Sequence, residues 1–231
     1  MDSKFIDISQ IIEIFPKLLE NLSVTLYISI TSLVFGLLLG LVLTVMQGSK
    51  RLLIKGTALI YIDVMRSTPL LLLIFLVFFG SKVLLTQLGI SQRLFSDGFF
   101  AILAITLGMS AYFSEMMRSA YNSVDKGQLE AINSLAIPVV GGFIRIILPQ
   151  ATIIAIPNLG NLMINIVKLT SLVSLIGIVD VFGRAKKISN SNYGVNQLEA
   201  FISVIIIYWI INVLIDVAMK FLEKKYRYLL D

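Results

Sequence analysis

Cysteine and histidine are both absent from the 231 residues, and tryptophan occurs once. Without cysteine there is no disulfide, no thiolate nucleophile and no thiolate metal ligand. Without histidine the commonest general base and metal ligand is missing. Charge is scarce too: Asp, Glu, Lys and Arg make up 14% of the chain, against about 25% in soluble domains. No Gly-x-x-x-x-Gly-Lys-Ser/Thr loop is present to cradle a nucleotide's phosphates. No internal repeat, linker or low-complexity tract is seen. The chain is therefore expected not to be an enzyme, with no catalytic residue, no metal and no cofactor of its own.

Apolar residues fill the space. They make up 57% of the chain, and the mean hydropathy is +0.91. Runs near 20 apolar residues are what an α-helix needs to cross a hydrocarbon core about 30 Å thick. Alternation over about ten-residue segments, the mark of a membrane β-barrel, is missing. The sequence reads as an all-α polytopic membrane protein with five spans. They run from Leu22 to Met46, Thr57 to Gly80, Phe99 to Tyr121, Ala151 to Ile178 and Leu198 to Phe221. Residues 1–20 form an N-terminal segment, 21–222 the membrane domain and 223–231 a C-terminal tail.

The loops set the expected orientation. Those after spans one, three and five carry Lys50, Arg51, Lys55, Lys126, Arg145, Lys224, Lys225 and Arg227. The other side carries Lys4, Lys17, Lys82, Arg93, Arg184, Lys186 and Lys187. The modest excess places the N-terminus outside and the C-terminus in the cytoplasm. The start of the chain lacks the basic region and small-residue cleavage site of a secretory signal. Phe5, Ile8, Ile11, Ile12 and Phe15 are spaced for a short amphipathic helix on the outer membrane surface. A poorly ordered leader fits the same residues.

One stretch breaks the pattern. Lys126 to Pro138 carries Lys, Gln, Glu, Asn and Ser between apolar runs, and Ile147-Leu148-Pro149-Gln150 closes it. A helix from Gln128 to Leu135 outside the bilayer suits that composition. Leu129, Ile132 and Leu135 share one face and are expected to be its buried face, with Glu130 and Asn133 toward polar partner groups. A helix resting on the lipid surface is the plainer alternative.

Charges inside spans are costly, about 2.5–3.5 kcal/mol for Lys or Arg at a helix centre. Lys168, near Asn165, Thr170, Ser171 and Ser174, is expected to face a pathway. Glu115 has two readings, pairing with Lys168 or Arg118, or facing the pathway. Arg66 is expected to pair with Asp63 one turn before it. Gly36 and Gly40 form a Gly-x-x-x-Gly pattern that suits helix packing within the chain. Pro157, Asn158 and Gly160 are expected to loosen span four, unless neighbours accommodate the proline.

Glu130-Ala131 followed by Ile147-Leu148-Pro149 resembles the EAA loop of ABC transporter permeases. Ile132 stands where that family usually has a third Ala, and Ala136 stands at its usual Gly, which normally allows the turn after the short helix. Four further segments resemble the polar amino-acid permeases: Arg66-Ser67-Thr68-Pro69-Leu70-Leu71, Ala111-Tyr112 through Glu115 to Arg118, Lys126-Gly127-Gln128, and Lys168 through Ser174. Together these segments reach from the second span to about Ala185.

The resemblance implies a type I importer core in a bacterial inner membrane, moving a polar amino acid, cystine among the possibilities. It implies that Gln128, Leu129, Glu130, Ala131, Ile132, Asn133, Leu135 and Ala136 couple the chain to a separate ATPase. Glu115, Lys168, Thr170 and Ser171 are the expected pathway residues. The implied partners are ATP-binding subunits that consume the ATP, an extracytoplasmic substrate-binding protein, membrane lipid, and a second permease copy or a related permease. Nucleic acid is not among them. An ion-gradient-driven secondary transporter is the alternative. It would need no docking helix, and five spans without internal symmetry suit it poorly.

Overall fold

A computed structural model of the chain describes residues 6–191 and 193–227. Phe5 and the end of the tail lie outside them. The helices are α1 (Ile8–Leu19), α2 (Leu22–Gln47), α3 (Leu52–Ser67), α4 (Leu70–Gln87), α5 (Asp97–Asn122), α6 (Lys126–Ser134), α7 (Val139–Gly142), α8 (Leu148–Leu169), α9 (Val181–Ser191) and α10 (Gln197–Tyr226). A π-helical turn, Phe143–Ile147, joins α7 to α8, and a 3-10 stretch, Thr170–Ile176, follows α8. Five segments are long and apolar enough to cross a membrane: α2, α4, α5, the stretch from Val139 to Ile176, and α10.

Helix α5 is the axis of the fold. Ser96 caps it by accepting from the Phe99 N–H at 3.2 Å, and Asp97 complements the dipole in its first turn. Phe100, Ala104, Ile105, Met109 and Phe113 are buried along it. Lipid is as apolar as leucine, so close packing and interhelical hydrogen bonds hold such helices together. Gly36 and Gly40 supply the close approach. A Cβ on Gly40 would lie 2.7 Å from the Phe113 Cβ and 3.0 Å from the Ser110 carbonyl. Two turns further along α2, Gln47 Nε2 donates to Ser114 Oγ at 2.8 Å. The glycine pair thus packs α2 on α5 within the chain, as the spacing predicts. Gly40→Ala forces the two backbones apart and is expected to destabilise the domain by about 1–3 kcal/mol. The check is thermal unfolding in detergent.

The second span is displaced from its expected place. The helix starting before Thr57 ends at Ser67, and Leu70–Gln87 makes the crossing. Pro69 is the cause. The residue before a proline is pushed out of the helical region, and Thr68 is extended (φ −89°, ψ 125°). Lys55, Asp63 and Arg66 therefore lie on α3, outside the crossing segment. Span four also differs. Pro157 sits inside a continuous α8, and the helix changes only at Thr170, ending at Gly177 with φ 91°.

Helix α1 packs on α9 and α10 through Ile14 and Leu18, with Phe15 beside them. Ile8 and Ile12, expected on the apolar face toward the membrane surface, are exposed. The inward face is set one position round, at Ile11, Ile14, Phe15 and Leu18.

A buried carboxylate organises the same end of the molecule. Asp180, fully buried, accepts from the Gly183 N–H at 2.8 Å and from the Tyr208 hydroxyl at 3.0 Å. Thr25 Oγ1 accepts from the Val181 N–H at 3.3 Å. Asp180 thereby ties the start of α9 to α10, beside α2. Asp180→Ala removes a helix cap and orphans the Tyr208 hydroxyl, an expected loss of about 2–4 kcal/mol.

Burial raises the Asp180 carboxyl above its ordinary range, partly offset by the Gly183 and Tyr208 hydrogen bonds. The folded chain then holds this proton more tightly than the unfolded chain. Its contribution to stability is full below the ordinary carboxylate pKa and is lost as pH rises through the raised one. Unfolding temperatures of wild type and Asp180→Asn, compared across that window, should show this slope only in wild type.

Candidate coupling helix and membrane cavity

Helix α6 begins where Asp125 Oδ1 accepts from the Gly127 N–H. It ends in a Schellman motif. The Ile137 N–H donates to the Ile132 carbonyl at 3.0 Å and the Ala136 N–H to the Asn133 carbonyl at 3.2 Å. Pro138 then stops the chain from continuing as helix. The motif requires a left-handed residue at Ala136, and its φ is +53°. Glycine takes that conformation freely, whereas an L side chain costs about 1–2 kcal/mol. Ala136→Gly is therefore expected to stabilise this corner by about 1 kcal/mol. Slower proteolysis at the α6–α7 turn is the readout.

Ile132 anchors the helix. It is buried with Val124, Ile147 and Ala151, and Ile137 packs against the same cluster. Gly142 on α7 is the hole for this knob: a Cβ there would lie 2.7 Å from Ile132 Cγ2. Only Ile132 of the expected buried face turns inward. Leu129 is 40% exposed and Leu135 72%. Glu130, Ala131, Asn133 and Ala136 are exposed too, and Gln128 is half-buried. Ile132 thus clamps α6 to the start of the α8 span, with Leu129 and Leu135 exposed at the two edges of that face and Glu130 exposed on the opposite side.

A cleft of about 940 Å³ opens between α2, α3, α5 and α8. Glu115 lines it. The Arg118 Nε and Nη2 donate to the two Glu115 oxygens at 3.0 and 2.8 Å, a bidentate pair. Arg66 Nη1 stands 3.7 Å from Glu115 Oε2. The expected Arg66–Asp63 pair does not form among the described residues. Arg66 turns instead to the less exposed Glu115 carboxylate across the α3–α5 contact. Among the described residues no ion pair joins Glu115 to Lys168.

The other expected pathway residues separate. Thr170 is fully buried and donates to the Val167 carbonyl at 2.8 Å, so it presents no group to an open surface. Ser171 is half-buried and donates to the Lys168 carbonyl at 2.8 Å. Lys168 is exposed on α8.

A helical membrane domain carrying a short, clamped and projecting helix defines a transporter subunit, with the fold of a type I ABC importer transmembrane domain. The chain belongs to the family of binding-protein-dependent transport system inner membrane components, which matches residues 32–228. It is 36% identical to the L-cystine transport system permease protein TcyL of Bacillus subtilis (strain 168), over 97% of this chain and 93% of that protein. It is 37% identical to the nopaline transport system permease protein NocM of Agrobacterium fabrum (strain C58 / ATCC 33970), over 91% and 88% of the two chains. The crystal structure of an amino acid ABC transporter with histidines superposes with a TM-score of 0.84 at 29% identity, covering 95% of this chain and 99% of that one. Family membership points away from catalysis by this chain.

Proposed function

We propose that this chain is the permease subunit of an ATP-driven importer that carries a polar amino acid across the cell membrane, coupled through α6 to separate ATPase subunits. The observation that carries the reading is the two-sided α6. Ile132 locks α6 to the start of the α8 span, while Leu129 and Leu135 to either side of it and Glu130 on the opposite side stay exposed. A helix held only by lipid would have no reason for the Ile132–Gly142 lock. The names of the relatives support an amino acid as cargo.

The α6 side faces the cytoplasm in this reading, with the N-terminus outside. An extracytoplasmic binding protein delivers substrate to the opposite face, and a second permease copy or a related permease completes the pathway. The chain holds no cofactor, and ATP is consumed by the partner. ATPase closure moves α6, and the lock passes that motion to α8. Only contacts that differ between the outward- and inward-open states shift the balance between them.

The test is uptake by membrane vesicles holding the whole importer. Uptake should stop when vanadate blocks the ATPase and persist when ion gradients are collapsed. The reverse pattern would establish the ion-driven alternative. Amino acids retained by the purified binding protein then identify the cargo.

A further inference from the structure

The cleft between α2, α3, α5 and α8 joins an apolar trough to a charged end. Leu37, Leu41 and Val45 of α2 face Ala155 and Leu159 of α8 across the trough. From Leu37 to the end of α2, and from Leu148 to Leu159, the two walls rise about 15 Å. That is the depth of one leaflet of a hydrocarbon core about 30 Å thick. The charged end lies where the spans finish. Glu115 and Arg118 sit near the end of α5, and Lys55, Asp63 and Arg66 come from α3. Arg118 is engaged by Glu115. Arg66 only approaches that carboxylate, at 3.7 Å, and among the described residues its guanidinium makes no hydrogen bond. Asp63 is Arg66's neighbour one turn back on α3. Among the described residues its carboxylate has neither a hydrogen bond nor an ion pair. A guanidinium with open donors and an unpaired carboxylate thus stand at the mouth of an apolar trough one leaflet deep.

We infer that this cleft holds one phospholipid whose headgroup carries both a phosphate and a primary ammonium, of the phosphatidylethanolamine type. The phosphate meets the open donors of Arg66, whose planar fork suits phosphate oxygens. The exposed Lys55 adds positive charge at the same mouth. The ammonium meets Asp63, and an acyl chain lies in the trough. Charged pockets between membrane helices bind lipid headgroups by the same physics. Phosphatidylglycerol has no ammonium for Asp63, and the trimethylated ammonium of phosphatidylcholine has no N–H to donate. A free amino acid carries the same two charges but would leave the apolar walls uncovered. The lipid fills the gap between α2 and α8, the helix that the Ile132 cluster ties to α6. The inference needs the chain to cross a membrane and is independent of what the chain transports.

Native mass spectrometry of the intact importer tests this. The complex is released into mild detergent from vesicles holding equal parts of phosphatidylethanolamine, phosphatidylglycerol and phosphatidylcholine. Wild type should retain phosphatidylethanolamine about fivefold over either of the others, the worth of one charged hydrogen bond. Asp63→Asn should abolish that preference. Arg66→Gln should lower retention of all three lipids about tenfold. Val45→Trp, at an exposed position, should fill the trough and displace the lipid from a chain whose unfolding temperature is unchanged. A wild type without preference, a preference that survives Asp63→Asn, or lipid still held by Val45→Trp would each overturn the inference. Loss of the lipid on adding millimolar glutamine would assign the cleft to a free amino acid and overturn it too. ATP-dependent uptake is scored in parallel. Its absence would sink the permease reading, while the retained lipid would still judge the cleft.

Discussion

Glu130→Lys abolishes amino-acid uptake while the permease remains folded in the membrane at normal abundance. Glu130 is exposed at the free face of α6 and joins no ion pair among the described residues. The fold therefore does not depend on its charge. A partner surface shaped around a carboxylate does. Reversing the sign leaves a buried, unmatched ammonium at the interface, a penalty of about 3–5 kcal/mol. That lowers docking, and with it uptake, by roughly a hundredfold or more. Uptake of labelled amino acid, with ATPase co-purification measured on the same membranes, gives the answer. Normal co-purification and normal uptake together would remove Glu130 from the interface.

Gly142→Val uncouples the ATPase from transport. The new side chain begins where Ile132 already sits, with the added Cβ 2.7 Å from Ile132 Cγ2. Overpacking of this kind costs about 1–3 kcal/mol, and α6 relieves it by tilting away from α7. The spans pack elsewhere and keep their places, so the expected result is a folded permease whose ATPase partner still binds. Uptake then falls about tenfold for each 1.4 kcal/mol of lost coupling, while nucleotide hydrolysis continues. Ile132→Ala in the same chain makes room for the valine and should recover much of the uptake. The double-mutant cycle isolates the pair. Failure of Ile132→Ala to recover any uptake would mean that Gly142 acts through some other neighbour.

How legible the molecule was in its sequence depended on which force decided each element. Long apolar runs located three of the five crossings within about five residues, because length and hydrophobicity settle those, whereas the fourth begins at Val139, twelve residues before its expected start. The crossing after α3 was misplaced, because a single Pro69 outweighed an apolar run that continues through it. The α6 helix was readable from its polar composition. Its inward face was not, because Leu129 and Leu135 look as apolar as Ile132 until the position of Gly142 is known. The left-handed turn at Ala136 was signalled by the glycine that resembling permeases usually carry there. Asp180 escaped notice entirely. A lone acid in a loop gives no hint that Tyr208 and Gly183, the former 28 residues away, converge on it. Glu115 was recognised as unusual, but its partners were settled only by the α3–α5 packing that brings Arg66 to it.

The most direct test of the coupling claim is a crosslink. Leu135→Cys places the chain's single thiol at the C-terminal cap of α6, where the side chain is 72% exposed and outside the Ile132 cluster. In vesicles of the intact importer, a short bifunctional thiol reagent should join this position to an ATPase subunit, with a yield that changes when ATP binds. A crosslink confined to lipid or to the permease itself, in vesicles that are actively importing, would contradict the account.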